Sequence, residues 1–137
     1  TVVHGGGILN HPNYHEHKPE WDFFNMNGPA ILKFAIPVLS KCIERIRPGL
    51  STGLPGIDWV IAHQASGNGL KFMASSNKWP EDRMIRTLEK FGNVMAASIP
   101  LTLYEGVRET KQIKRGDSIL FIGTGAGLVV GGVIFTY

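Results

Sequence analysis

The run Ile57-Asp58-Trp59-Val60-Ile61-Ala62 is short, apolar and rich in β-branched and aromatic side chains, and it lies between segments of a different period. Bounded upstream by the turn residues Ser51 to Gly56, it reads as a buried strand. Before it, Ile31, Phe34, Ala35, Val38, Leu39, Cys42, Ile43 and Ile46 recur at three- and four-residue intervals, the stripe of an amphipathic helix over residues 28–47 that Pro48-Gly49 ends. Pro37 falls inside that stretch and predicts a kink or a shortened first segment. After the strand, the pattern predicts a second helix over about 69–77, a turn at Pro80-Glu81-Asp82 and a weak extended segment over 84–90. A third helix starts between Val94 and Ala97, with Pro100 tolerable only in its first turn. Strands are expected over 118–122 and 129–137. Residues 8–27 carry Asn10, His11, Pro12, Asn13, Pro19 and Asn27 between isolated apolar residues, which is a long loop holding at most a short strand. Helices alternating with strands imply an α/β layer on a largely parallel sheet, its last two strands forming a hairpin.

With 137 residues and 43% hydrophobic content, the chain suffices for one core and is too short for two ordinary domains, so residues 1–137 are expected to form a single domain. The formal charge of +3 is spread in twos and threes without a stripe or run. That distribution gives no sign of a dedicated nucleic-acid surface and leaves room for a basic rim that meets acidic or phosphorylated ligands. Cys42 has no cysteine to pair with, which excludes a disulfide within the chain and makes the cytoplasm the expected compartment. No apolar run approaches the roughly 20 residues that span a bilayer. The opening Thr1-Val2-Val3-His4-Gly5-Gly6-Gly7 lacks a signal peptide's apolar middle, and the absence of an initial Met suits a processed or cut piece of something longer.

Two short motifs carry chemistry. His63-Gln64-Ala65-Ser66 ends the first strand, and Gly92-Asn93 precedes the third helix. Both fall where ligands bind in open α/β sheets, at the carboxyl ends of strands. A His N–H and an Asn N–H are neutral donors that can converge on one carbonyl oxygen, yet no nucleophile accompanies them. Each has a plainer use: His63 as a satisfied core or surface histidine, Asn93 as a helix N-cap. Cys42 lies on the apolar stripe of the long helix and reads as a structural thiol. His11, His15 and His17, with Glu16 and Asp22, match no standard zinc spacing, so no metal is expected. Trp21, Phe23 and Phe24 read equally as core or as the lining of an apolar tunnel. Gly123, Gly125 and Gly127 superficially match a dinucleotide fingerprint, but that fingerprint must open a helix, whereas Val129-Val130 and Val133-Ile134-Phe135 read as strand. No cofactor is therefore expected.

Taken together, His63-Gln64-Ala65, Gly92-Asn93 with Ala96-Ala97-Ser98-Ile99-Pro100, Ile113-Lys114-Arg115-Gly116-Asp117 and Gly125-Ala126-Gly127 resemble, in order and spacing, the C-terminal half of ketoacyl-acyl-carrier-protein synthase III. Phe24-Asn25-Met26-Asn27-Gly28, leading into the long helix, is similar too. The resemblance implies one half of a thiolase-like fold, with layered helices on a five-stranded mixed sheet. It implies an acyltransferase of fatty-acid or specialised acyl biosynthesis, in which a cysteine in the other, N-terminal half is acylated and a malonyl thioester on acyl carrier protein is decarboxylated to supply the carbanion. Acyl-CoA, the malonyl thioester, the cysteine-bearing half and a second copy of the complete enzyme are the implied partners. His63 and Asn93 match the family's catalytic pair, where growing enolate charge rewards donors aimed at the thioester oxygen. In that role His63 must be neutral, its tautomer fixed by whatever its other nitrogen meets. Gly125, Ala126 and Gly127 match the turn that helps build an oxyanion hole, with Ala126 supplying the backbone N–H.

Departures from the family pattern are informative. Ser66 stands where Asn is common, and Asn68 where an Arg helps dock the acidic carrier protein; Lys71 or Lys78 offers a substitute cation. Ser66, Asn68 and Lys71 are therefore the expected carrier or CoA contacts. Thr124 replaces a bulky Phe beside the glycine turn, so substrate preference is expected to differ. The competing expectation is a non-catalytic interaction domain that kept the fold without the chemistry. Either way, half of a pseudo-symmetric body should expose a large apolar face.

Overall fold

A computed structural model of the chain describes residues 2–11, 13–16, 18–125 and 127–137, the side chain of Leu32 excepted. Pro12, His17 and Ala126, named above, lie outside the described residues. The chain divides into two compact units, Thr1–Lys33 and Phe34–Tyr137. In the first, β1 (Val2–Val3) pairs antiparallel with β2 (Phe24–Asn25), and single turns of 3-10 helix occupy His4–Gly6 and Pro19–Asp22. The long loop expected over 8–27 thus holds one short strand at its end.

Helix α1 (Gly28–Ile46) runs through Pro37 as one element, so the expectation of a shortened first segment does not hold. Pro37 is exposed, which lets water meet the carbonyl that its missing N–H leaves unpaired. Beyond the helix, Gly49 takes a left-handed φ of 91°. The Glu44 carboxylate accepts from the backbone N–H of Gly49 at 2.8 Å, and from the N–H and hydroxyl of Ser51 at 3.1 and 2.7 Å. These bonds, that from Gly49 first, hold its carboxyl below the usual range.

The second unit is built on a three-stranded sheet of β3 (Trp59–Ala62), β4 (Ser118–Gly125) and β5 (Val129–Thr136), in that order. β4 and β5 form an antiparallel hairpin, as the pattern predicts, whereas β3–β4 is the one parallel pair of this sheet, which is therefore mixed and not largely parallel. Its register is set at the entrance: Asp58 N–H donates to the Ser118 carbonyl at 2.8 Å, and Ser118 N–H donates to Asp58 Oδ2 at 2.9 Å. Trp59 then stands opposite Ile119 and Ala62 opposite Ile122.

The five-stranded sheet implied by the resemblance is corrected to this three-stranded sheet and the separate β1-β2 pair. Residues 84–90 do not form a strand. Met84 makes one parallel bridge to Val60, and from Leu88 the chain coils into the short helix α3 (Leu88–Phe91). The remaining helices are α2 (Gly67–Ser76), which begins two residues before its expected start, and α4 (Ser98–Tyr104). A 3-10 turn at Met95–Ala97 leads into α4, and π-helical turns at Glu105–Glu109 continue it. No described helix is long and apolar enough to cross a membrane.

Because strand side chains alternate between faces, the sheet has two cores. Val60, Ala62, Leu120 and Ile122 pack with Leu39 and Ile43 of α1 and with Leu70 and Ala74 of α2. Ile61 and Ile119, on the other face, pack with Ile85, Ile113 and the half-buried Ile99 and Leu103 of α4. Helix α4 covers β3 and the near side of β4 only. The same face of β5 stays open, with Val129, Val133 and Phe135 exposed at 64%, 57% and 47%. Cys42 on α1 is partly buried, and its thiol donates to the Val130 carbonyl at 3.8 Å.

Close approach of α1 to the hairpin constrains Gly132, which lies opposite Ile122. A Cβ there would stand 2.8 Å from the Phe121 carbonyl oxygen and 2.9 Å from Ile46 Cδ1, whereas one at Gly131 would meet nothing within 4 Å. Gly132→Ala is expected to cost about 1–3 kcal/mol as overpacking, and Gly131→Ala no more than about 0.5 kcal/mol. Thermal denaturation of the two variants checks this; equal midpoints would contradict the packing described.

Candidate functional site

His63 follows β3 directly, and its N–H donates to the Ile122 carbonyl at 2.8 Å, which extends the β3-β4 ladder by one residue. By strand alternation its side chain falls on the face covered by α4. There its Nδ1 meets the Ser98 hydroxyl at 2.6 Å. Ser98 is the first residue of α4 and only 1% exposed. Among the described residues the Nε2 of His63 has no hydrogen-bond partner. Partial burial lowers the His63 pKa, because a half-buried imidazolium loses solvation.

Gln64 points into the other side of this frame and is fully buried. Its amide nitrogen donates to the carbonyls of Ala62 at 2.9 Å and Ile85 at 3.4 Å, and its Oε1 accepts from Thr87 N–H at 3.1 Å. Thr87 in turn meets the Thr102 hydroxyl at 2.7 Å, and Thr102 donates to the Ser98 carbonyl at 2.7 Å. A buried polar ring therefore runs from Gln64 through Thr87 and Thr102 to Ser98 and back to His63. It ties the end of β3 to α4 with every member partnered, the condition under which buried polar groups rigidify a site. Sequence reasoning did not single out Ser98, Thr87 or Thr102. The available signal was a pair of hydroxyls at a four-residue spacing, Ser98 and Thr102, inside an otherwise small and apolar helix start.

Asn93 is exposed and sits after α3, where Gly92 adopts φ 70° and ψ −164°, a conformation that only glycine takes readily. Its Oδ1 accepts from the Met95 N–H at 2.9 Å. A backbone N–H requires an oxygen, so the amide assignment is settled by that bond and Nδ2 is the atom available to a ligand. Asn93 thus braces a turn and is not the helix N-cap of its plainer reading: Val94 holds that place for the 3-10 turn and Ala97 for α4, neither with a side-chain cap bond. Met95 has φ 54°, unusual for a residue with a side chain. Its carbonyl accepts from both the backbone N–H and the hydroxyl of Ser98, the latter at 2.9 Å. His63 and Asn93 are therefore joined through Ser98 and Met95: the imidazole meets the Ser98 hydroxyl at 2.6 Å, the Ser98 backbone N–H donates to the Met95 carbonyl, and the Met95 N–H donates to Asn93 at 2.9 Å.

Beside this frame, on the same sheet face, an open recess of about 480 Å³ is lined by Ile99, Phe121, Thr124 and Val129 and by glycines of the β4-β5 hairpin, Gly125 among them. Neither His63 nor Asn93 lines it. Gly125 closes β4, Gly127 has φ 80°, and Ala126 between them is outside the described residues. Ser66 is the N-cap of α2, its hydroxyl accepting from Gly69 N–H at 3.3 Å. Asn68 and Lys71 are exposed on that helix. Among the described residues no three His, Cys, Asp or Glu side chains gather as a metal site would need.

The lowered His63 pKa fixes a sign. The unfolded chain takes up the histidine proton near the ordinary value of about 6.5 and the folded chain only at lower pH. This contribution to stability is present above about 6.5 and is lost as pH falls from there toward the folded value. An NMR titration of the His63 ring should give a midpoint below about 6.5. A midpoint at or above it would contradict the environment described.

Comparison with known proteins fits this arrangement. Residues 52–137 match the family described as 3-oxoacyl-[acyl-carrier-protein (ACP)] synthase III C terminal. A β-ketoacyl-[acyl-carrier-protein] synthase III from Microcystis aeruginosa is 40% identical over 114 residues, which is 82% of this chain and 33% of that protein. The crystal structure of the synthase III from Pseudomonas aeruginosa superposes with a TM-score of 0.75 at 30% identity, covering 85% of this chain and 36% of the other. That from Aquifex aeolicus gives 0.74 at 31% identity, covering 88% and 39%. The chain spans about a third of the length of the curated relatives it matches. By sequence match and by fold, it belongs to the 3-oxoacyl-acyl-carrier-protein synthase III C-terminal family.

Proposed function

We propose that this chain is the enolate-stabilising half of a decarboxylating acyltransferase. Its relatives are named as β-ketoacyl-acyl-carrier-protein synthases, and the same reaction is the natural reading for a site with two neutral donors and no nucleophile. In the proposed reaction a cysteine of a second half carries the acyl group as a thioester. A malonyl thioester on acyl carrier protein loses carbon dioxide; the electron pair of the broken C–C bond passes into the thioester and leaves an enolate. The enolate carbon attacks the acyl-cysteine carbonyl, and the cysteine departs as thiolate.

His63 Nε2–H and Asn93 Nδ2–H are the donors assigned to the enolate oxygen. Charge appears there only as carbon dioxide leaves, so these bonds strengthen in the transition state and lower the barrier instead of merely tightening binding. The observation that supports the reading is the chain of contacts through Ser98 and Met95, which engages Nδ1 of His63 and Oδ1 of Asn93 and leaves His63 Nε2 and Asn93 Nδ2 without a partner among the described residues. Gly125, Ala126 and Gly127 are assigned to the oxyanion turn, where a backbone free of bulky side chains lets an acyl thioester approach. Asn68 and Lys71, with Ser66 as the cap beneath them, are the proposed contacts for CoA or the acidic carrier. The open apolar face of β5 is assigned to the cysteine-bearing half, and the complete enzyme is expected to act as a homodimer in the cytoplasm.

The test uses the chain joined to or mixed with its cysteine-bearing half. His63→Ala and Asn93→Ala should each leave acylation of the cysteine intact and slow malonyl decarboxylation by roughly 10²–10³-fold. Unchanged condensation in either variant would overturn the donor roles of these two side chains, and inactivity of the intact pair would favour an interaction domain.

A further inference from the structure

The reading of His63 as a donor holds only for one of its two neutral tautomers, and that tautomer requires the Ser98 hydroxyl to donate to the ring. A hydroxyl has one hydrogen. That of Ser98 has two acceptors in reach, His63 Nδ1 at 2.6 Å and the Met95 carbonyl at 2.9 Å. The Met95 carbonyl already accepts from the backbone N–H of Ser98 itself. If the hydroxyl were spent on that carbonyl, Nδ1 would have to carry the ring proton and Nε2 would become an acceptor. An acceptor there would repel a developing enolate oxygen. If the hydroxyl turns to Nδ1, the carbonyl keeps its backbone donor and Nε2 holds the proton, the arrangement that the donor role proposed for His63 requires.

We propose that Ser98 is the positioning residue that holds His63 as its Nε2–H tautomer, by donating its hydroxyl hydrogen to Nδ1. The hydroxyl can do this reliably because the residue around it does not move. Ser98 is buried, its carbonyl accepts from Thr102, and Thr102 is held through Thr87 by the buried Gln64 that follows His63 in the chain. The same strand end thus supplies the histidine and, through the ring, the anchor for the group that orients it. Removing the hydroxyl leaves the backbone of His63 in place, since its N–H stays bonded to the Ile122 carbonyl. What is lost is the preference between tautomers.

This inference rests on the donor role proposed for His63, and its test separates the two. The protein is labelled with ¹⁵N in its histidine rings, and long-range proton–nitrogen spectra are recorded above the titration of His63. In the unsubstituted protein Nδ1 should show the shift of an unprotonated ring nitrogen and Nε2 that of a protonated one. Ser98→Ala should move both nitrogens toward averaged values, and Ser98→Thr, which keeps the hydroxyl, should restore the original pattern. The exchange protection of the His63 amide reports whether each variant keeps its fold. In the complete enzyme Ser98→Ala should lower kcat for malonyl decarboxylation about tenfold with little change in KM, the loss expected for one hydrogen bond. A protonated Nδ1 in the unsubstituted protein, or ring shifts that Ser98→Ala leaves unmoved, would overturn the proposal. If the tautomer behaves as described while His63→Ala decarboxylates normally, Ser98 keeps its role and the donor function of His63 falls.

Discussion

Everything at the candidate site depends on the parallel pairing of β3 with β4 and on the alternation that this pairing imposes. The Asp58–Ser118 exchange fixes the register at one end, and His63 continues the ladder at the other. With the period of two fixed, Ile61 and His63 share a face and Ala62 and Gln64 the opposite one. A slip of one residue would send the imidazole under α1 and α2 and the Gln64 amide toward α4. Burial on both faces is what forbids that slip, since Ile61, Val60, Ile119 and Leu120 are all fully enclosed and none can be exchanged for a polar neighbour without cost.

From this frame the polar interior follows. Gln64 closes the end of β3 against Ile85 and Thr87, and the two threonine hydroxyls carry that closure to the start of α4. The consequence is that His63 and Asn93, which arrive on different elements, are held by one connected set of bonds. The positive φ at Met95 belongs to the same set: its N–H orients Asn93, and its carbonyl accepts from the backbone N–H of Ser98. Donors held in this way would need little rearrangement as charge develops, the condition under which electrostatic stabilisation is large.

Much of the fold was legible in residue order because it rests on local patterns. The run 57–62, the long stripe around Leu39 and Ile43, and the final hairpin all carry signals that burial later enforces. Residues 84–90 show the limit. Their apolar content suggested a strand, but a single bridge at Met84 is all that the neighbouring Val60 accepts before α3 begins. The five-stranded sheet failed for a related reason: Val2-Val3 and Phe24-Asn25 pair with each other, a choice made by tertiary contact and not by period. At the site, His63 and Asn93 stood out by residue type and setting. Ser98 did not, because a serine at a helix start has an ordinary use, and its contact with His63 lies 35 positions away in the chain. Glu44 was hidden likewise, its carboxylate serving the turn after α1 in place of the solvent that an exposed helical Glu usually meets.

The central claim is that His63 and Asn93 act on a single oxygen, and a double-mutant cycle on malonyl decarboxylation addresses it most directly. With the chain joined to its cysteine-bearing half, kcat would be measured for His63→Ala, Asn93→Ala and both together. Donors that share one developing charge are coupled, so the double variant should lose far less than the product of the two single losses. A double loss equal to that product would mean that the two side chains act independently, and would contradict the shared role.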